Sequence, residues 1–297
     1  MTRFRSHHLI AVILELSKVR ITIAVAFTTI TGYILALQDY DLGFIFPTLG
    51  IFFLACGSSV INHVQERKTD ALMSRTRKRP LPAHKISFSG AVLVAVTETL
   101  TGALILYFSA GRTALTLGLF AMLWYNGIYT NLKRITPFAV IPGSVIGSIP
   151  PLVGWVSAGG NLLNSKALIM AVFFFIWQVP HFYLLALQYG REYQEAGLPS
   201  IISRWSAGKA RNQILIWIIL SAFAAIVISF TPLTSSLIST LLIILSSVVL
   251  IFSFRNIRKN KEEKFNAFGY FMTINYFVLS VTLFLVTGPL LHRTFHI

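Results

Sequence analysis

The 297 residues are 55% apolar and 12% charged, with a mean hydropathy of +0.71, whereas soluble domains average about 45–50% and about 25%. A water-soluble fold of this length cannot bury such a surplus, so lipid must cover part of it. The formal charge of +15 suggests nucleic acid only until the charges are located: they lie in short loops between apolar runs, where basic residues report membrane orientation.

Residues 1–16 read as an N-terminal tail. The first apolar run lacks a small-residue cleavage site and reads as a span, not a signal peptide. Spans are expected at 19–37, 43–64, 88–109, 113–131, 136–158, 166–188, 211–230, 234–254 and 269–290. Pro137, Pro142, Pro150 and Pro151 should kink or interrupt the fifth. The single Cys56 excludes an internal disulfide framework and reads as a small packing residue. The expected fold is an all-α polytopic membrane protein, one domain over 1–297, with about nine transmembrane helices around a central cavity. With the N-terminus cytoplasmic, 22 of the 25 Lys and Arg fall in inside segments; only Arg112, Lys166 and Arg293 do not. The odd number of spans puts the C-terminus outside. Two inside connections, 65–87 and 189–210, are long and polar, which is where chemistry is expected.

At the end of the second span, Asn62, Glu66 and Asp70 recur every four residues and share a face if the helix continues. Their oxygens suit a hard divalent cation such as Mg²⁺, which keeps waters and binds substrate phosphates. The basic run that follows contains Arg75 and Arg79, suited to bidentate phosphate contacts. A snorkelling, orientation-setting helix end is the plainer reading of the same residues. His63 adjoins Asn62 but points elsewhere on the helix. Glu98 lies alone near the middle of the third span and must be neutral, paired or in a cavity. At the inside end of the fourth span, Lys133 and Arg134 either touch a diphosphate or anchor the loop; Tyr129 lies one turn earlier. In the sixth span His181 sits about two turns into the membrane beside Pro180, a cost that implies a partner or a function. The span leads to Glu192, Tyr193 and Glu195 on the same side as Asp70. Two acidic helix ends facing one cavity could hold Mg²⁺ against a diphosphate, stabilise its departure and shield the electron-poor remainder from water. That logic points to prenyl transfer onto a lipophilic acceptor.

These residues resemble the intramembrane UbiA-type prenyltransferase superfamily, most closely its protoheme IX farnesyltransferase (haem O synthase) branch. The superfamily's Asn followed at four-residue steps by acidic residues is matched by Asn62, Glu66 and Asp70. Met73 through Pro82 resembles the branch's Met-x-Arg-Thr-x-x-Arg-Pro-Leu segment, Tyr129-Thr130 with Leu132-Lys133-Arg134 and Thr136 a second signature, and Pro150 through Trp155 a third. Trp177-Gln178-Val179-Pro180-His181-Phe182, followed by Tyr193, Ala196-Gly197 and Pro199, is the most branch-specific string. Three positions depart: Glu66 and Glu192 stand where the pattern has Asp, and Ala139 where many members have Asn. The resemblance implies Mg²⁺ as cofactor, farnesyl diphosphate as donor and haem B as acceptor. Haem O and diphosphate would be the products, with haem O supplied to terminal oxidases. It implies Asn62, Glu66 and Asp70 at one metal–diphosphate edge and Glu192 at the other. Arg75, Arg79, Lys133 and Arg134 would be diphosphate contacts, with Tyr129 and Tyr193 beside the substrate and His181 and His63 facing haem. It also implies a bacterial plasma membrane with the active site toward the cytoplasm. A prenyltransferase acting on a quinone precursor, a transporter and a haem chaperone are the alternatives.

Overall fold

The computed structural model describes residues 2–258 and 265–295, with side chains over 9–258 and 265–291; Lys259, Lys261, Lys264 and the side chains of Arg3, Arg5 and Arg293, all counted in the orientation pattern, lie outside the described residues. Twelve α-helices follow one another, with no strand among the described residues. They are α1 Thr2–Leu16, α2 Val19–Leu37, α3 Ile45–Asp70, α4 Phe88–Leu123, α5 Thr130–Leu132, α6 Val140–Ser157, α7 Ser165–Gln188, α8 Gly190–Glu195, α9 Ile201–Arg204, α10 Ala207–Ser229, α11 Leu237–Phe254 and α12 Ala267–Phe295.

Eight helical segments are long and apolar enough to cross a bilayer among the described residues, one of them running Phe88–Leu132. A straight helix of that length would reach roughly 67 Å, about twice the hydrocarbon thickness. The chain instead reverses at Gly111, whose φ of 78° and ψ of −171° are not helical. Thr99 and Met122, 23 residues apart, meet side by side at 3.8 Å, so α4 is two antiparallel arms. A glycine is what a left-handed backbone position requires.

The surface is apolar where lipid would lie, with Phe108, Leu93, Phe223 and Leu245 exposed. Inside, Phe173, Phe174, Ile214, Ile218 and Phe254 are fully buried in a core shared by α7, α10, α11 and α12. A second core joins α3, both arms of α4 and α6. Packing runs from α2 through α3, α4, α6, α7, α10 and α11 to α12, which touches α2 again and closes the bundle.

The N-terminal segment forms α1, whose Val12 and Leu16 pack with Val60, Leu81, Ala91 and Ala95. One sequence expectation needs correction. The proline-rich fifth span is not interrupted, because α6 runs from Val140 to Ser157 with Pro150 and Pro151 inside it. Close backbone packing supports it there. A Cβ on Gly154 would lie 1.9 Å from the Thr29 carbonyl oxygen, and one on Gly32 would lie 1.8 Å from that of Pro151. Small residues let α2 and α6 touch through their backbones. α7 is likewise continuous through Pro180.

Candidate active site

α3 continues past its apolar run to Asp70, with Arg67 and Lys68 in its last turn, where cations suit the helix dipole. Asn62, Glu66 and Asp70 therefore share a face, and Asn62 and Asp70 are each only 1% exposed. Each oxygen group is held by a cation from a different part of the chain. Lys18 donates from Nζ to Asn62 Oδ1 at 2.8 Å. Lys133, from the turn after α5, pairs with Glu66. Arg79 Nη1 donates to both oxygens of Asp70, at 2.9 and 2.8 Å. The Asn62 amide is fixed from its other side by Thr130, which accepts from Nδ2 at 3.3 Å.

Lys18 joins α1 to α2 in a left-handed conformation, φ 47° and ψ 48°, uncommon for a residue with a side chain. Burial, reinforced by the positive charges of Arg79 and Lys133, pulls its pKa down to about 7. Sequence reasoning counted Lys18 only toward orientation. Its 44-residue separation from Asn62 left no local spacing to find.

The segment after Asp70 is a series of tight turns tied to α3 by Thr76 Oγ1, which donates to the Asp70 carbonyl oxygen at 2.9 Å. It carries Arg79 to Asp70 and Arg75 to the second acidic element. Arg75 lies over the Tyr189 ring at 4.2 Å, and its Nε is 3.9 Å from Glu192 Oε2. That carboxylate oxygen is buried and makes no hydrogen bond. Tyr193 lies beside it, its pKa raised by burial and by the charge of Glu66 and moderated by Arg75 and Arg79. Glu195, on the same short helix, is exposed.

Between the two lies a π turn, Trp124–Tyr129, of the kind that recurs at functional sites. Asn126 accepts from Ser58 Oγ at 2.6 Å and from Gln65 through its carbonyl oxygen at 3.0 Å, locking the turn to α3. Aromatic rings then line up across the helices: Tyr125 stacks on Tyr129 at 5.7 Å and Tyr129 on Phe182 at 5.5 Å, while His181 is 5.7 Å from Phe182. Lys133 Nζ stands 5.6 Å from the Tyr129 ring.

Arg134 and His63 hydrogen-bond to none of the acidic side chains. Arg134 is exposed and donates to the Gln65 carbonyl oxygen at 2.8 Å, anchoring the loop to α3 and touching none of the acidic side chains. His63 is 2% exposed, with neither ring nitrogen hydrogen-bonded. Glu98, unexplained by sequence, accepts a 2.6 Å hydrogen bond from Ser17, next to Lys18.

No three His, Cys, Asp or Glu side chains converge tightly enough to hold a metal unaided among the described residues. The donor set still fits Mg²⁺: every candidate ligand is an oxygen, and Glu192 Oε2 is a buried acceptor with no hydrogen bond. Mg²⁺ uses one or two carboxylates plus substrate phosphates and waters.

The model of the UbiA prenyltransferase family matches residues 25–287. The chain belongs to that family. Relatives of this UbiA family member include the protoheme IX farnesyltransferase of Nitratidesulfovibrio vulgaris (strain DP4), 31% identical over 244 residues, covering 82% of this chain and 85% of that protein. The protoheme IX farnesyltransferase of Geobacter sulfurreducens is 41% identical over 150 residues, covering 50% and 55%. Among solved structures, a digeranylgeranylglyceryl phosphate synthase superposes with a TM-score of 0.75 at 17% identity, over 94% of this chain and 98% of that one. A UbiA homolog from Archaeoglobus fulgidus bound to GPP and Mg²⁺ gives 0.69 at 13% identity, over 93% and 98%. At such identities the structures speak for the fold alone.

Proposed function

We propose that this UbiA family member transfers the farnesyl group of farnesyl diphosphate to a vinyl group of haem B, with addition of water, giving haem O and diphosphate. The observation that carries the reading is the cluster in which Lys18, Lys133 and Arg79 each hold one oxygen group of Asn62, Glu66 and Asp70, with Arg75 reaching from the same turns toward Glu192. A diphosphate arriving among these cations would relieve their mutual repulsion and draw them off the carboxylates, freeing those oxygens. The acceptor follows from the protoheme IX farnesyltransferases among the relatives.

Asn62, Glu66, Asp70 and Glu192 would hold Mg²⁺, which when bound supplies charge neutralisation for the departing diphosphate. Arg79, Lys133, Lys18 and Arg75 are assigned the diphosphate oxygens, where positive charge stabilises the transition state. The C1–O bond of the donor breaks with its electron pair leaving on diphosphate. The allylic cation is assigned to the aromatic row of Tyr125, Tyr129 and Phe182, whose rings can stabilise it through their quadrupoles. The vinyl π electrons form the new C–C bond, and water captures the resulting carbocation and loses a proton. His181 is assigned to the acceptor. We place the active site at the cytoplasmic end of a single bacterial plasma-membrane domain with nine crossings and the C-terminus outside, on the distribution of basic residues.

The test is incubation of the purified protein with haem B, farnesyl diphosphate and Mg²⁺, with the product identified by mass. A porphyrin that has gained one farnesyl group and one hydroxyl is expected. Unchanged haem, with prenylation when a quinone precursor replaces haem B, would overturn the acceptor.

A further inference from the structure

The indole Nε1 of Trp177 in α7 donates to the Ile274 carbonyl oxygen in α12 at 2.9 Å, pinning the two helices together. One turn along α7, His181 lies against that seam. Its Nδ1 is 3.0 Å from Asn275 Oδ1, and Asn275 donates from Nδ2 to the Phe271 carbonyl oxygen at 2.6 Å. The second bond decides the roles in the first. Turning the amide over would set its oxygen against the Phe271 carbonyl oxygen, so Oδ1 must face the imidazole, and an acceptor there requires a proton on Nδ1. The ring is further confined by Trp177, Phe182 and Phe271 at centroid distances of 5.0, 5.7 and 4.7 Å. Its Nε2 makes no hydrogen bond and, unlike the nitrogens of His63, is not sealed from the surface.

From this geometry we propose that Asn275 is a positioning residue that holds His181 in the Nδ1–H form and presents the Nε2 lone pair as an axial ligand to the iron of the porphyrin acceptor. The inference rests on the haem reading above and adds how the acceptor is gripped. A histidine ligand oriented through its other nitrogen by a carbonyl-type acceptor has a fixed tautomer and ring plane and is more basic. Iron ligation would register the porphyrin against α7, whose Phe182 stacks on Tyr129, the ring beside Lys133. The acceptor would thus be anchored next to the site of ionisation without any charged residue in the apolar interior.

Ferric haem B titrated into the purified full-length protein, without farnesyl diphosphate, gives the readout through its Soret and visible bands and electron paramagnetic resonance. Wild-type protein should show an imidazole-ligated spectrum that His181→Ala abolishes. Asn275→Leu should weaken haem binding roughly 10–100-fold, the usual cost of removing a ligand's hydrogen-bond partner. Asn275→Asp should keep the spectrum and lower the Fe(III)/Fe(II) potential, because a carboxylate acceptor gives the imidazole imidazolate character; that variant serves if Asn275→Leu fails to fold. A spectrum unaffected by His181→Ala, wild-type affinity in Asn275→Leu, or an unshifted potential in Asn275→Asp would overturn the proposal. Mass analysis of the complete reaction separates the two readings. Haem O formed by a protein whose haem spectrum ignores His181 overturns the ligation alone. His181-ligated haem that is never farnesylated overturns the reaction alone, and absence of haem binding overturns both.

Discussion

Asp70 is buried with both carboxylate oxygens on Arg79, so its substitution tests the cluster directly. Asp70→Asn keeps the shape and an acceptor for Arg79 while removing the charge. Product formation should fall by at least about 100-fold, the scale of losing one transition-state stabilising group, with the thermal midpoint of the purified protein close to wild type. Glu66→Asp should retain measurable Mg²⁺-dependent turnover, since the ligand type is unchanged; complete loss in the same assay would show that the longer reach of Glu66 is essential. Lys18→Ala removes the cation on Asn62, and the KM for farnesyl diphosphate should rise roughly 10–100-fold, in line with about 1.5–3 kcal/mol for a hydrogen bond to a charged group. An unchanged KM would confine Lys18 to a structural role. Of these residues, Asn62, Glu66 and Asp70 were legible because four-residue spacing is a local helical property. The charge on Lys133 was legible too, but its pairing with Glu66 crosses helices and leaves no trace in spacing. Arg134 shows the same limit: two adjacent cations look alike in sequence, and only the fold turns one toward Glu66 and the other toward a carbonyl.

At the level of helices, prolines and glycines proved to act together. Prolines at 150 and 151 remove intrahelical hydrogen bonds, which reads as a break; α6 stays continuous because it lies backbone to backbone on α2, through Gly154 and Gly32. Gly154→Ala should therefore cost roughly 1–3 kcal/mol, as overpacking does, and lower the thermal midpoint in detergent. Gly208→Ala, where an added Cβ meets nothing within 4 Å, should leave the midpoint unchanged or raise it. Equal effects of the two would show that α2 and α6 do not touch as described. α1 was missed as an element because its apolar stripe is short and interrupted by charge. Packing of Leu16 and Val12 onto α3 and α4 supplies what intrinsic periodicity lacked, and in doing so sets Lys18 and Ser17 in place.

For the whole molecule, the proposed orientation, with the basic end of the bundle in the cytoplasm, is open to a direct test. Cys56 is the only cysteine and is buried, so Cys56→Ser gives a clean background for single-cysteine labelling. In intact cells an impermeant thiol reagent should label Arg112→Cys, in the exposed turn where α4 reverses, and spare Lys78→Cys in the turns beside Asp70. The opposite pattern would invert the orientation.

Composition and hydropathy by themselves determined that the chain is a helical membrane protein and where most helices begin and end. These are properties of contiguous residues, since one apolar run must satisfy its own backbone hydrogen bonds in lipid. Tertiary structure decided which cation meets which oxygen, that α4 doubles back at Gly111, and that Asn275 orients His181. Each of those joins residues far apart in the chain, and such pairings depend on how helices pack rather than on any local period.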